Sequence, residues 1–211
     1  MAQFAAQGTH AEHEATSTIA NAAPLGLSAF ATTTAVLSCV NAGFIVPSQA
    51  GINIFIGLAL FYGGIVQILA GMWEFRRGQI LSATVFSSYG GFWVATAAIF
   101  IPGFGILNAF SSSPTLLHQA MGTYFLCWTI LTGIFFLASL RTNLALLFVL
   151  GLLFLTYLFL TIAELAGLNT VLMQIGGWLG IATALAAWYT ALADLLHSGN
   201  SVFRLPLGEI G

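Results

Sequence analysis

Residues 52–78 read INIFIGLALFYGGIVQILAGMWEFRRG, and this stretch decides the fold. From Ile52 to Trp73 it carries no Lys, Arg, Asp or Glu, and it breaks at Arg76-Arg77-Gly78. A helix needs about 20 mainly apolar residues to cross roughly 30 Å of hydrocarbon, so the run can span a bilayer. The same criterion finds such runs from Leu25 to Val46, Leu81 to Ile101, Ala120 to Leu140, Leu144 to Ala163 and Ile175 to Leu196, with breaks at Pro47, Pro102-Gly103 with Pro114, Arg141-Thr142-Asn143 and Gly167-Leu168-Asn169. The fold expected is an all-α polytopic membrane protein. Residues 25–196 form six transmembrane helices, between a polar tail over 1–24 and a C-terminal tail over 197–211.

Composition agrees. The chain has 211 residues, of which 59% are hydrophobic and 5% charged, against roughly 25% charged in a typical soluble chain. With four basic residues, all Arg, the chain lacks the basic surface that binding DNA or RNA requires. The first 24 residues lack the charged start, apolar core and cleavage site of a signal peptide. His10 and His13 are spaced like metal ligands but have no third ligand near, so they read as part of a solvated tail and no metal is expected. The short tails suit a bacterial or archaeal inner membrane.

Orientation follows from the arginines. With the N-terminus cytoplasmic, Arg76, Arg77, Arg141 and Arg204 all fall on the cytoplasmic side, as the positive-inside rule requires. Both termini are therefore expected in the cytoplasm. Cys39 and Cys127 fall within predicted helices and read as packing residues, not as a disulfide framework.

An unpaired polar group in hydrocarbon costs several kcal/mol, so polar side chains within the spans should face a partner or water. Their spacing draws stripes. Phe30, Thr34, Ser38 and Asn41 share one face of the first helix, Gly63, Gln67, Gly71 and Glu74 one face of the second. The third offers Tyr89, Trp93 and Thr96, and the fifth Leu153, Tyr157, Leu160 and Glu164. Simpler readings stand beside these. Thr and Ser hydroxyls often bond their own helix, Trp73 and Tyr124 read as interface anchors, and Glu74 reads equally as an interfacial ion pair with Arg76. Gln67 lies too deep to reach the interface. Gly176, Gly180 and Ala184, with Ala59, Gly63 and Gly64, give the small faces on which helices in lipid approach closely.

An enzyme is not expected. No two carboxylates sit mid-span, and His118, the one histidine between the tails, reads as part of a loop. Phosphate-loop, dinucleotide and zinc patterns are absent, and no cofactor is implied. What remains is passage of something small beside a polar stripe.

The stretches Asn21-Ala-Ala-Pro24-Leu-Gly26-Leu27, Phe61-Tyr-Gly-Gly-Ile-Val-Gln67 with Ala70-Gly71 and Glu74, and Ser88-Tyr-Gly-Gly-Phe-Trp93 resemble the acetate uptake transporter family, the succinate/acetate permeases. Asn21, Pro24 and Gly26 belong to its motif before the first helix, with Ala22 in place of a proline. The resemblance covers about residues 21–205. It implies a homohexamer in the cell membrane with a pathway for acetate and other small mono- or dicarboxylates, succinate among them, through each protomer. It also implies an apolar constriction at Phe30, Tyr89 and Leu153, and Glu164 stands where the family pattern has an uncharged polar residue. Thr34, Asn41, Gln67, Glu74 and Trp93 are then the expected polar pathway residues, with Glu74 or Glu164 as proton carrier. The competing expectation is a channel for urea or short amides, which six helices and neutral linings would also suit.

Overall fold

A computed structural model describes residues 19–44, 53–196 and 201–210. Within them six helices are long and apolar enough to cross a membrane: α1 Ala23–Ala42, α2 Ile54–Arg76, α3 Ile80–Phe100, α4 Pro114–Ala138, α5 Leu144–Leu165 and α6 Thr170–Leu196. Short 3₁₀ turns at Pro102–Phe104 and Leu107–Phe110 join α3 to α4. The predicted tails containing His10 and His13 lie largely outside the described residues, as does the Pro47 loop.

Caps set the ends, and they move several predicted boundaries. Leu168 and Gly167, both at positive φ, turn the chain between α5 and α6, and Asn169 then caps α6 by accepting the Leu172 amide at 3.1 Å. That starts α6 at Thr170 instead of Ile175. Ser113 Oγ accepts the Leu116 amide ahead of Pro114, so α4 begins there and not at Ala120. A proline that reads as a break is thus the helix's first residue, and His118 belongs to a helix, not to a loop. α1 stops at Ala42, short of Val46, because Gly43 takes the left-handed conformation and the Phe44 amide bonds back to Cys39.

The helices pack as an antiparallel bundle in which α1 is the most enclosed, lying along α6 and touching α2 and α3. α2 pairs with α3, α4 with α5, and α5 with α6. Small residues permit this closeness. A Cβ on Gly177 would strike the α1 backbone at Ala42, and one on Gly180 would strike the Ser38 side chain. Within α2, residues Phe61–Val66 are wound as a π-helix. Its Gly63 lies against Thr33 of α1 and its Gly64 against Val94 of α3, so the wide turn passes between two neighbours.

Apolar side chains cover the outside. Ile54, Phe61, Ile80, Leu137, Phe148 and Leu185 are each more than half exposed, a surface that lipid tails solvate and water does not. Inside, buried hydroxyls bond their own helix: Thr33 to Ala29, Thr96 to Phe92, Thr129 to Phe125, Thr161 to Tyr157 and Thr183 to Leu179. Residues 206–210 run across the start of α5, where the Leu144 and Ala145 amides donate to the carbonyls of Gly208 and Leu207 at 2.8 and 3.0 Å. These are amides of the first helical turn, which have no partner within the helix.

Candidate functional site

Phe30 from α1, Tyr89 from α3 and Leu153 from α5 come together in the bundle, each at most 4% exposed. Tyr89 sits 5.6 Å from Phe30, ring centre to ring centre. The three close one side of a cavity that also borders Leu27, Val85, Phe86, Leu150 and Gln67. Its volume is about 20 Å³, room for a single water. Gly26 belongs to this arrangement from behind: any Cβ there would press into the Phe86 ring.

Gln67 is fully buried, and neither its amide nitrogen nor its amide oxygen has a hydrogen-bond partner. A buried amide without partners costs about 1–3 kcal/mol for each unsatisfied group. Its amide nitrogen can donate a hydrogen bond and its amide oxygen can accept one. Two further side chains, Thr34 and Trp93, one turn along their helices from Phe30 and Tyr89, are also buried with an unpartnered polar atom. Asn41 does not join them. It is half-buried some two turns beyond Thr34, toward the far end of α1.

Tyr89 also belongs to an aromatic cluster. Tyr89 stacks on Tyr157, Phe92 stacks on Tyr124, and Trp128 fills the angle between them. Tyr124, expected as an interface anchor, instead points inward, its hydroxyl 2.8 Å from that of Thr96. The length of its spacer from the helix end misled that reading, since α4 begins two turns earlier than predicted.

The two ends of the bundle carry different charge chemistry. At the end that bears the arginines, Glu74 is buried and its carboxylate accepts from Arg77 at 2.7 Å and from the Ala22 amide at 2.9 Å. The same Arg77 nitrogen donates to Asn21 Oδ1 at 2.7 Å, and Asn21 in turn accepts the Ala23 amide. Asn21 and Pro24 are thus fastened over the end of α2 by a carboxylate and a guanidinium. The ion-pair reading of Glu74 holds, with Arg77 in place of Arg76 as its partner. At the opposite end, Glu164 of α5 lies 2.8 Å from Nδ1 of His118 on α4. Spacing could not pair residues so far apart in sequence. The Ser113-Pro114 cap is the signal that would have placed His118 on a helix.

The described residues contain no group of three His, Cys, Asp or Glu able to hold a metal ion, and Cys39 and Cys127 are free.

A family model described as the GPR1/FUN34/yaaH family matches residues 4–210. The chain is 43% identical over 206 residues to Acetate permease A of Emericella nidulans, covering 90% of this chain and 66% of that protein. It is 33% identical over 192 residues to the Succinate-acetate/proton symporter SatP of Escherichia coli, covering 90% and 96%. Among solved structures, that of the bacterial acetate channel SatP superposes with a TM-score of 0.77 at 34% identity, over 90% of this chain and 99% of that one. The chain thus spans just under two thirds of the fungal relative and nearly all of the bacterial ones.

Proposed function

The chain belongs to the GPR1/FUN34/yaaH family, and from that premise we propose that it carries acetate and other small mono- or dicarboxylates, succinate among them, across the cell membrane. The names of its relatives, an acetate permease and a succinate-acetate/proton symporter, support that substrate class. The observation that carries the reading is Gln67: a fully buried amide with no partner, on a cavity closed by Phe30, Tyr89 and Leu153. A carboxylic acid offers the acceptor and donor which that amide lacks.

The neck sets the form in which the substrate crosses. Moving an isolated carboxylate into an apolar site costs far more than moving the neutral acid. Tyr89, Thr34 and Trp93 can donate hydrogen bonds there, and among the described residues no cation stands beside them. The substrate therefore crosses the neck protonated. Glu164 is the carboxylate placed to carry the proton, because Glu74 is held by Arg77 and by the motif before α1. Arg76, Arg77, Arg141 and Arg204 put their end of the bundle in the cytoplasm, and both termini with it. Copies of the chain assemble as a homohexamer, joined through the apolar outer faces.

The test is uptake of labelled acetate in a strain lacking its own permease, with the wild-type chain and with Gln67→Ala. Uptake should appear with the first and fall at least tenfold with the second. Liposome swelling decides the competing reading, since an amide would also satisfy Gln67. Rapid swelling in urea without acetate uptake would overturn the carboxylate assignment.

A further inference from the structure

Glu164 lies on the α5 face that carries Leu153, Tyr157 and Leu160, all buried, about 16 Å beyond Leu153 along the helix. It therefore stands at the mouth of the same interior that the neck closes. Its partner His118 is about one-fifth exposed, while the carboxylate itself is nearly buried. The pair joins the amino end of α4 to the carboxyl end of α5.

No other charge competes there. Among the described residues, Glu74, Arg76, Arg77, Arg141, Asp194, Arg204 and Glu209 all belong to the opposite end of the bundle. Of the elements that meet at this mouth, α1 brings Cys39, α2 Tyr62, α3 Tyr89, α4 His118, Tyr124 and Cys127, α5 Tyr157 and Glu164, and α6 no titratable side chain in this half. Among the described residues, His118 is the only side chain at this end able to become a cation, and the Glu164 carboxylate lies 2.8 Å from its Nδ1.

We propose that His118 is an entrance site for a monocarboxylate anion, which takes the place of the Glu164 carboxylate when Glu164 binds a proton from solution. In the resting pair, the imidazolium donates its Nδ1–H to Glu164. Protonated Glu164 no longer holds that hydrogen bond by charge, and the Nδ1–H turns to the carboxylate of acetate, leaving one cation facing one anion as before. The proton on Glu164 then passes to the acetate oxygen. Neutral acetic acid moves on toward the neck, and Glu164, again a carboxylate, recovers His118. One proton and one acetate enter together, which supplies the neutral form that the neck requires. This rests on the carboxylate-transport reading above.

The experiment is saturation of [¹³C]acetate uptake into proteoliposomes at fixed internal pH, with external pH varied from 5 to 8, for wild type, His118→Gln and Glu164→Gln. Thermal unfolding in detergent checks that each variant is folded, and in Glu164→Gln the amide oxygen can still accept from His118, which preserves the brace between α4 and α5. For His118→Gln the KM for acetate should rise tenfold or more at pH 6, with kcat changed less than twofold. For Glu164→Gln the competitor is gone, so tight acetate binding should extend to higher external pH than in wild type, while kcat falls because the proton donor is missing. Folded variants that keep the wild-type KM and its pH profile would overturn the proposal and leave the pair a structural brace. Absence of acetate uptake by the wild-type chain would instead overturn the transport reading itself.

Discussion

The hydroxyl of Tyr89 lies 2.9 Å from that of Thr132, joining an aromatic ring of α3 to a fully buried threonine on α4. These two helices share few other close approaches, so the bond fixes the tilt of the ring that closes the cavity. Tyr89→Phe and Thr132→Val should each destabilise the protein by about 1–2 kcal/mol, because each leaves a buried hydroxyl or its site without its partner. In a double-mutant cycle read by unfolding in detergent, the coupling should come to about 1 kcal/mol, and additive effects would show that the contact contributes nothing.

Gln67 predicts opposite signs for stability and function. Gln67→Leu replaces an unsatisfied amide by an apolar group of similar size, so the protein should become more stable by about 1–3 kcal/mol. Acetate uptake should fall at least tenfold. A variant that lost both stability and uptake would mean that the amide is satisfied in the resting protein.

The arginine pair after α2 is unequal. Arg77→Ala strips the buried Glu74 of its partner and should cost about 2–4 kcal/mol, somewhat below the figure for a fully buried pair because Arg77 is partly exposed. Arg76→Ala, at an exposed position, should stay within about 0.5 kcal/mol. Chemical unfolding of the two variants side by side checks this.

Gly177 meets the α1 backbone at Ala42, which cannot swing aside as a side chain can. Gly177→Val should therefore prevent recovery of folded protein from the membrane. Gly57→Ala, where added bulk meets nothing, should leave the yield unchanged. Size-exclusion profiles in detergent distinguish the two.

The six spans were legible because hydrocarbon demands a length of apolar chain whatever the neighbours are. Gln67 could be picked out for a related reason: its depth alone keeps it from reaching the interface. The expectation of a constriction at Phe30, Tyr89 and Leu153 came from family resemblance, since stripes drawn by spacing pass through several apolar residues equally well. Partnerships were not legible. Glu74 has two arginines within three residues, and only the fold selects Arg77. His118 and Glu164 pair across two helices whose boundaries depend on caps of one or two side chains, and those caps lie in segments of mixed polarity where hydropathy gives no edge.

The π-wound residues of α2 have one more effect. Trp73 stands about five α-helical turns beyond the buried Phe55, so in an unbroken α-helix it would share that azimuth and Val66 would come close to it. Instead Trp73 is 55% exposed while Gln67 and Glu74 are buried. The wide turn absorbs one surplus residue and rotates everything after it by about 100°. Which edge of α2 looks inward is thus a matter of phase. Rewinding Phe61–Val66 as α-helix with every residue kept would exchange the Gln67 and Glu74 edge for that of Val66 and Trp73, removing the amide at the cavity and the carboxylate tether of the first turn of α1 in one step, whereas deleting one residue from the segment would leave a plain α-helix with Gln67 and Glu74 still inward.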